Sequence, residues 1–566
     1  MIQRGLLLTD DDVQRLRTAG GEVGERRDRV IASAEELLDQ PVAQPDLSRP
    51  WGPYLTCAGE RMRSIQRCSL AYLLTGRPEF HRRAKITVSA ILAWKSWIDP
   101  CHERPDQRFG LMTGIVCQAL AHYLDWCAEA IDEDELGAIA DHHRSKAVEP
   151  LLRDMDLPKR FFRNAVNNWV AVMVGGAGLM SLLLMDREPF YEQILQRCAF
   201  HLRRYLTWVN DDGSTHEGGN YWAFGMEHAL PLMEALRLNA DRLPAALRWR
   251  GAHEFERIPA LAKTAYFPLY CIQGDTYVVN FGDTHFGPAD RMEPTLRCLA
   301  RRFRDPHIQW LADRLQSDSP LALIWYDPDL PAEPPDDLLP SRAFHGTGWG
   351  ILRSDLDDPD GLLLAVRAGH NVQTHCHRDL TTFILRAAGR GLIVDPGCPQ
   401  YSADYWIHGA FTYGRETIGH NCVLIDGEGQ VAGPDEHAEI TRLEDLGDRK
   451  YMTVEMRGEK SGIRLHRRAF EVTLDETATV LIADEVRPVR PSVITWLLHY
   501  EPDARAEVRD DCIIIRNGPV TLRICTDPSE PVSLRVETEH EVPFVAIATA
   551  EPAEFATLEL TCTIEI

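Results

Sequence analysis

One change of pattern, at the proline- and acid-rich stretch 327–340 (DPDLPAEPPDDLLP), divides the chain into two parts. Before it, apolar residues recur at helical spacing in long segments that Gly, Pro or polar residues separate. After it, from residue 343 to residue 566, short β-type runs such as WGILRS and TVLIADEV alternate with turn residues. Because proline lacks the amide hydrogen that a helix needs, the stretch cannot continue the preceding helix. The sequence therefore predicts an α part followed by a β part.

The first part carries a series of predicted helices joined by short turns. Their ranges are 27–38, 60–74, 80–94, 110–130, 133–143, 168–185, 192–209 and 222–238. Such helices are typical of stacked antiparallel hairpins. Several are apolar on more than one face, which is expected when an inner ring of helices is covered by an outer ring. One short run, 275–281 (DTYVVNF), predicts a strand at the edge of this part, and the β part has the strand spacing of an all-β sandwich.

The net charge and the cysteine pattern limit the possible partners and the cellular compartment of the protein. A net charge of −24 over 566 residues argues against nucleic acid and anionic membranes as main partners. The 14 cysteines have no CxxC pair, which is typical of a reduced compartment. The apolar run near the N-terminus is too short for a signal peptide, and the segment 169–185 falls just short of the ~18–20 residues of a membrane span. We expect a cytoplasmic location, and a homo-oligomer stays open.

The richest stretch for chemistry is 369–395, GHNVQTHCHRDLTTFILRAAGRGLIVD. His375 and His377 are two residues apart, so on a strand both imidazoles project from the same side. Asp395 ends the next apolar run, and His420 opens a third run, GHNCVLIDG. Such a set can form a three-ligand metal site, for which zinc is the best but not the only candidate. A histidine-rich sheet with ordinary hydrogen bonds is the alternative.

Two junctions between a loop and a helix stand out in the first part, 163–169 (RNAVNNW) and 211–222 (DDGSTHEGGNYW). Taken singly, each residue has a structural explanation. Asn164 or Asn167 could cap a helix, and Tyr221 and Trp222 could be core aromatics. Asp212 and Glu217 could instead form the paired carboxylates of a glycoside hydrolase.

Taken together, four motifs resemble those of the heparinase II/III-like polysaccharide lyases. They are NNW at 167–169, DGSTHEGGNYW at 212–222, THCHRDLTTFIL with VDPG at 374–397, and GHNCVLIDG at 419–427. The resemblance extends from about residue 60 onward. It implies an N-terminal (α/α) toroid at 1–326, a linker at 327–341 and a C-terminal antiparallel β-sandwich at 342–566, with the active site between them. The activity it implies is β-elimination in a uronic-acid-containing glycan, which leaves an unsaturated uronate.

The resemblance also implies roles for individual residues. Asn167 would neutralise the uronate carboxylate, Tyr221 would be the catalytic acid and for some substrates the base, and His375 would lie in the active site. A zinc ion, mainly structural, would be held by His377, Asp395 and His420. The residue after the first Asn is often His in the family and is Asn168 here. The base should then be Tyr221, in a syn elimination on glucuronate or mannuronate, unless it is His375.

Further substrate contacts complete the prediction. Arg163 and Arg415 are candidate carboxylate-binding cations, because the guanidinium fork fits a carboxylate. The remaining candidate substrate-binding residues are Asn168, His216, Glu217 and Trp222. The expected partner is an acidic oligosaccharide or polysaccharide. A glycoside hydrolase using Asp212 and Glu217, or a non-catalytic oligosaccharide-binding protein, are the alternative functions.

Overall fold

The computed structural model describes residues 4–104, 107–156, 166–274, 276–284, 289–372, 375–398, 401–402 and 412–566. Within these residues the α-helices all precede residue 326. They are α1 (Asp10–Thr18), α2 (Gly21–Glu35), α3 (Pro53–Thr75), α4 (Pro78–Leu92), α5 (Leu111–Trp126), α6 (Glu133–His143), α7 (Glu149–Asp156), α8 (Asn168–Leu184), α9 (Phe190–Leu206), α10 (Gly218–Leu238), α11 (Ala245–Trp249), α12 (Pro259–Lys263), α13 (Tyr266–Cys271), α14 (Glu293–Phe303), α15 (Pro306–Arg314) and α16 (Pro320–Trp325). The predicted order, α first and β second, is confirmed.

The helix α8 is the centre of the helical part. It packs against α5, α9 and α10, and nearly all of its residues are buried. Its sequence is apolar on every side, as expected for a helix surrounded by other helices. Glycine permits the closest of these approaches, because a Cβ on Gly176 would lie 1.9 Å from the carbonyl oxygen of Gly114 in α5. None of the described helices combines the length and hydrophobicity that a membrane span requires.

The strands follow, apart from one early hairpin, β1 (Ile272–Gln273) with β2 (Tyr277–Val278), which lies where the strand at 275–281 was predicted. The others are β3 (Arg342–Phe344), β4 (Trp349–Arg353), β5 (Leu363–Arg367), β6 (Gly369–His370), β7 (Phe383–Ala387), β8 (Arg390–Ile393), β9 (Val423–Ile425), β10 (His437–Asp445), β11 (Arg449–Gly458), β12 (Ile463–Leu474), β13 (Ala478–Pro488), β14 (Ile494–His499), β15 (Arg505–Arg509), β16 (Cys512–Asn517), β17 (Val520–Pro528), β18 (Val532–Glu539), β19 (Val542–Thr549) and β20 (Ala556–Glu565).

These strands form three antiparallel sheets. The largest has nine strands in the order β15-β16-β17-β20-β13-β12-β11-β10-β6. A four-stranded sheet has the order β18-β19-β14-β9, and a five-stranded sheet has the order β3-β4-β5-β7-β8. All 14 cysteines are free thiols.

The five-stranded sheet joins the two parts of the molecule because both of its faces are buried. Ile351 and Trp349 pack into the apolar core of the helices, where Trp349 lies 5.2 Å from the ring of Phe267. The next residue along β4, Leu352, points to the opposite face and packs with Met452 of the large sheet. This alternation follows from the two-residue period of a strand. The helical core and the sheet core therefore meet across one layer.

The stretch between the last helix and β3 contains no helix or strand and lies on the helical part. Leu330 is buried there. The amide of Glu333 donates to the carbonyl of Pro306 at 3.1 Å, and the Tyr270 hydroxyl donates to the carbonyl of Leu339 at 2.9 Å. The proline- and acid-rich run is thus an ordered strap.

Candidate active site

A cavity of about 550 Å³ opens where loops of the β part reach the helical part. The three residues predicted to be catalytic, Asn167, Tyr221 and His375, all line it. Each comes from a different element: the residue before α8, the first turn of α10, and the loop between β6 and β7. The structure therefore brings together residues that are more than 200 positions apart in the chain.

Asn167 immediately precedes α8 and has extended backbone angles of φ −151° and ψ −177°. An Asn at this position usually caps the helix, but the Asn167 side chain forms no capping hydrogen bond. Its Oδ1 is buried, and within the described residues it has no hydrogen-bond partner. The side chain lines the cavity and does not cap α8.

Glu217 performs the capping role instead. Its Oε2 accepts the backbone N–H of Asn168 at 2.8 Å, and its Oε1 accepts from Asn168 Nδ2 at 2.6 Å. Both side chains are buried, and neither lines the cavity within the described part of the chain. The sequence predicted that Asn168 and Glu217 contact the substrate directly. In the structure they instead lie behind the cavity wall. Burial raises the pKa of Glu217 to about 7, although His375 and Asn168 oppose the shift.

The imidazole of His375 is fixed on three sides. Its Nδ1 lies 2.7 Å from Asp283 Oδ2, so the ring donates Nδ1–H to that carboxylate. Its face stacks on Tyr221, with ring centroids 3.6 Å apart and planes at 12°. Its Nε2 lies 3.4 Å from Asn168 Nδ2 and 3.8 Å from Glu217 Oε1. Three contacts of this kind hold the ring in one orientation.

The backbone beneath this ring needs glycine at one point. The amide of Asp283 donates to the carbonyl of His375 at 3.0 Å. The preceding residue, Gly282, has φ 64°, and a Cβ there would lie 2.3 Å from the same carbonyl oxygen. Glycine at this position permits the close approach that places Asp283 against His375.

Tyr221 has a second tyrosine as its partner. The hydroxyl oxygens of Tyr221 and Tyr401 are 2.6 Å apart, and both residues line the cavity. Burial, with Asp283 nearby, raises the pKa of Tyr221 well above its usual value, while the hydrogen bond from Tyr401 opposes that shift. Sequence reasoning missed Tyr401, which lies in a loop without a recognisable motif.

One wall of the cavity is aromatic. Trp51 and Trp169 flank His102, with edge-to-face ring contacts at 5.6 Å and 4.7 Å. Burial lowers the pKa of His102 to about 4, so its ring is neutral at pH 7. Flat aromatic faces of this kind suit the C–H faces of a sugar ring. Trp222, a candidate substrate-binding residue from the sequence, is instead a core aromatic that is buried and donates Nε1–H to Thr264 Oγ1 at 2.8 Å.

The charged lining of the cavity is entirely basic. Arg104 and Arg291 line it, and none of its lining residues in the described ranges is Asp or Glu. Of the cations predicted to bind the substrate, Arg163 lies outside the described residues. Arg415 and His216 are described but do not line the cavity, and His216 packs edge-to-face on Trp208 at 5.5 Å.

A second group of polar side chains lies behind His375. His377, Asp379 and His420 are buried, and one possible ligand atom from each lies within 4.8 Å of the others. Among the described residues, His377 Nδ1, Asp379 Oδ2 and His420 Nε2 have no hydrogen-bond partner. Three potential ligand atoms at this separation, each without a hydrogen-bond partner in the described residues, fit a divalent metal ion with nitrogen and oxygen ligands.

The other ring nitrogen of each histidine is bound to a carboxylate. His377 Nε2 lies 2.9 Å from Asp283 Oδ1, and His420 Nδ1 lies 2.8 Å from Asp395 Oδ2. Such contacts fix the tautomer that turns the free nitrogen toward a metal. Asp395, predicted as a metal ligand, is thus a hydrogen-bond partner of His420. The group of three possible ligands contains Asp379 in its place. Sequence reasoning missed Asp379 and also Asp283, which bridges His375 and His377.

Two solved structures are similar to this chain over nearly its whole length. The crystal structure of a heparinase III is similar over 97% of this chain and 88% of its own, with a TM-score of 0.68 and 13% identity. The heparan sulfate lyase HepC from Pedobacter heparinus is similar over 99% of this chain and 93% of its own, with a TM-score of 0.61 and 14% identity. The helical toroid with a β-sandwich, predicted from the sequence, is therefore confirmed as the fold.

A family model matches the second part of the chain, over less than half of the whole length. Residues 336–550 match the family described as Heparinase II/III-like, C-terminal. No curated protein sequence matches the chain. The chain therefore carries a heparinase II/III-like C-terminal domain, as its motifs indicated.

Proposed function

We propose that this protein is a polysaccharide lyase that cleaves a uronate-containing oligosaccharide by β-elimination. The observation that carries the proposal is one cavity that combines Asn167, Tyr221 and His375 with a basic and aromatic lining. A β-elimination needs a group that neutralises the carboxylate, a base and an acid, and it needs no carboxylate pair.

Neutralisation of the carboxylate is the role of Asn167. The proton alpha to a uronate carboxylate is weakly acidic while that carboxylate keeps its full charge. The Asn167 side chain lines the cavity, so its Nδ2–H₂ group can donate a hydrogen bond to the carboxylate and stabilise the enolate-like transition state. Arg104 adds positive charge to the same cavity, whereas Arg291, which also lines it, pairs with Glu227 at 3.2 Å.

Proton transfer is the role of Tyr221. In its neutral form the phenol can donate to the leaving glycosidic oxygen, and as a phenolate it can take the alpha proton. The hydrogen bond between Tyr221 and Tyr401 stabilises the phenolate relative to an isolated buried tyrosine. Asn168, where relatives often have His, is bound to Glu217 behind the wall and supplies no base on the opposite sugar face. One residue acting as base and acid makes the elimination syn, on glucuronate or mannuronate.

The buried group of His377, Asp379 and His420 is proposed to hold zinc. When bound, the ion supplies a fixed positive charge that pins the loops of the β part. The protein links this group to the cavity through Asp283, whose two carboxylate oxygens contact His375 and His377. The orientation of His375 therefore depends on the same carboxylate that orients a proposed ligand.

The hydrolase alternative is less well supported. Asp212 accepts from the amide of Ser214 at 3.0 Å and from the amide of Gly346 at 2.8 Å. Glu217 caps α8, as described above. Both candidate carboxylates thus have structural partners, and neither lines the cavity within the described residues.

The test is ultraviolet absorbance with a panel of uronate oligosaccharides, namely glucuronan, hyaluronan, heparan, chondroitin and alginate. We expect absorbance from a new conjugated double bond with at least one of them, and its loss in Tyr221→Phe. Tyr72→Phe is the matched control, because Tyr72 lies in α3 outside the cavity lining. New reducing ends without that absorbance would contradict the proposal and favour a hydrolase.

A further inference from the structure

A second cavity, of about 230 Å³, lies between the end of α2, residues 40–43, α3 and α4. Four arginines line it, which is unusual in a chain with a net charge of −24. They are Arg61, Arg63, Arg67 and Arg83, and Glu60 is the one acidic residue among the described lining.

Two of these arginines are buried without an acidic partner. Arg61 and Arg83 are 2% and 8% exposed, and within the described chain neither forms an ion pair with a carboxylate. Arg61 donates Nε–H to the carbonyl of Ala43 at 3.0 Å and stacks over Trp94 at 4.2 Å. Arg83 donates to the carbonyl of Gln40 at 2.7 Å.

Each of these two guanidinium groups has one nitrogen without a hydrogen-bond partner in the described residues. Arg61 Nη1 and Arg83 Nε are buried, and among the described residues they have no hydrogen-bond partner. A buried guanidinium that lacks an anion is costly, because the protein interior solvates charge poorly. Burial accordingly lowers the pKa of Arg61 below its usual value. Both unfilled donors belong to side chains that line the same cavity.

The other two arginines differ in their surroundings. Arg67 pairs with Asp318 at 2.5 Å, so its charge is already compensated. Arg63 is exposed and lies close enough to Glu227 and Arg291, which pair with each other beside the active-site cavity, for their charges to interact. Thr56 of α3 lines the active-site cavity, and Arg63 of the same helix lines the second cavity. The two residues are ~10 Å apart along the helix axis.

We propose that this cavity is a binding site for a small oxyanion such as sulfate or phosphate, with Arg61 and Arg83 as the buried donors and Arg63 at the rim. Guanidinium groups bind such oxygens with paired, charge-assisted hydrogen bonds. The oxyanion has two possible sources, a free inorganic ion and a sulfate group on a glycan that extends from the active-site cavity. The binding site itself does not depend on the proposed lyase activity.

The test is isothermal titration of the full-length protein with sodium sulfate and with sodium phosphate at constant ionic strength. We expect 1:1 binding and a melting temperature that rises with anion concentration. Arg61→Lys keeps the charge but loses the fork, and we expect about tenfold weaker binding. Arg63→Ala is the second variant, chosen because an exposed residue can be replaced without unfolding the chain, and we expect several-fold weaker binding.

The matched control is Arg82→Ala, which removes an exposed arginine of α4 next to Arg83 that does not line the cavity. It should bind sulfate as the wild type does. Absence of binding to the wild type at millimolar sulfate and phosphate would overturn the proposal. Equal weakening in Arg82→Ala and Arg63→Ala would also overturn it, because it would indicate a general charge effect.

Kinetics with sulfated and unsulfated heparan oligosaccharides distinguish the two possible sources of the bound oxyanion. A KM that rises in Arg63→Ala for the sulfated substrate alone supports a glycan sulfate as the ligand. An unchanged KM for both substrates, with weaker sulfate binding, supports a free inorganic ion.

Discussion

Replacing Glu217 by Gln should make the protein more stable at neutral pH while leaving its stability at acid pH nearly unchanged. The carboxyl group is only 3% exposed and lies against the start of α8. Burial raises its pKa from the usual 4.5 to about 7. An acid with a raised pKa in the folded state holds its proton more tightly there than in the unfolded chain.

The sign and size of the effect follow from that difference. Below pH 4.5 the group is protonated in both states and imposes no penalty. As the pH rises from 4.5 to about 7, the unfolded chain loses the proton first, so the free energy of unfolding falls. The gap between about 7 and 4.5, at 1.36 kcal/mol per pH unit, gives about 3 kcal/mol above pH 7.

Gln lacks this titration and keeps an oxygen for the backbone N–H of Asn168. Its NH₂ group can donate to Asn168 Oδ1 after rotation of that amide, since Oδ1 has no partner in the described residues. Relative to the wild type, the Glu217→Gln variant should therefore gain about 3 kcal/mol in free energy of unfolding between pH 4.5 and pH 8.

The assay is urea unfolding followed by tryptophan fluorescence at several pH values across this range. Glu188→Gln is the control, because Glu188 is a surface residue paired with Arg144 and its replacement should leave the pH profile unchanged. Parallel profiles for the wild type and Glu217→Gln would refute the reasoning. A variant that loses stability relative to the wild type as the pH rises would show that Glu217 is ionised and paired in the folded protein.

Three further predictions concern the cavity and the histidine group behind it. Asn167→Ala should lower kcat/KM by about 10²–10³, the cost of one oxyanion donor, without changing the melting temperature; a lower melting temperature with a normal rate would contradict its role. Asp379→Ala should reduce the zinc content of the dialysed protein, measured by mass spectrometry, and an unchanged content would place the third ligand elsewhere. Gly282→Ala should lower both the melting temperature and the activity, because its Cβ would meet the carbonyl of His375 at 2.3 Å. Gly447→Ala, at φ 81° but in open space, is the control for backbone strain alone, and equal effects in the two variants would exclude the clash.

The fold class and three cavity residues could be predicted because their signals are local in the chain. Helical and strand periodicity depend on neighbouring residues, and so does the order of motifs that contain Asn167, Tyr221 and His375. Asp283 and Tyr401 lie outside the four motifs, and Asp379 lies within one of them but was not recognised as a ligand. Their contacts join segments about 90 to 180 residues apart or depend on how a loop turns, and one sequence does not specify either.

The errors within the motifs have a different cause, which is the direction of adjacent side chains. Successive residues on a helix point about 100° apart. Tyr221 therefore faces the cavity, while Trp222 faces Thr264 in the core. Asn167 and Asn168 also point in different directions, because the first precedes α8 in extended conformation and the second lies inside the helix. A motif identifies the segment that forms a site, but the phase of the helix decides which residue in it reaches the ligand.

The doubly buried five-stranded sheet has a consequence for the integrity of the molecule. A protease that cut the strap between α16 and β3 would not release two independent domains, because the whole sheet belongs to the C-terminal fragment and its separation would expose both its apolar face and the helical core beneath it. The fragments would stay associated as a noncovalent pair, with the Asn167 and Tyr221 side of the cavity on one fragment and His375 on the other. The cavity lined by Asn167, Tyr221 and His375 is therefore complete only when both fragments are present.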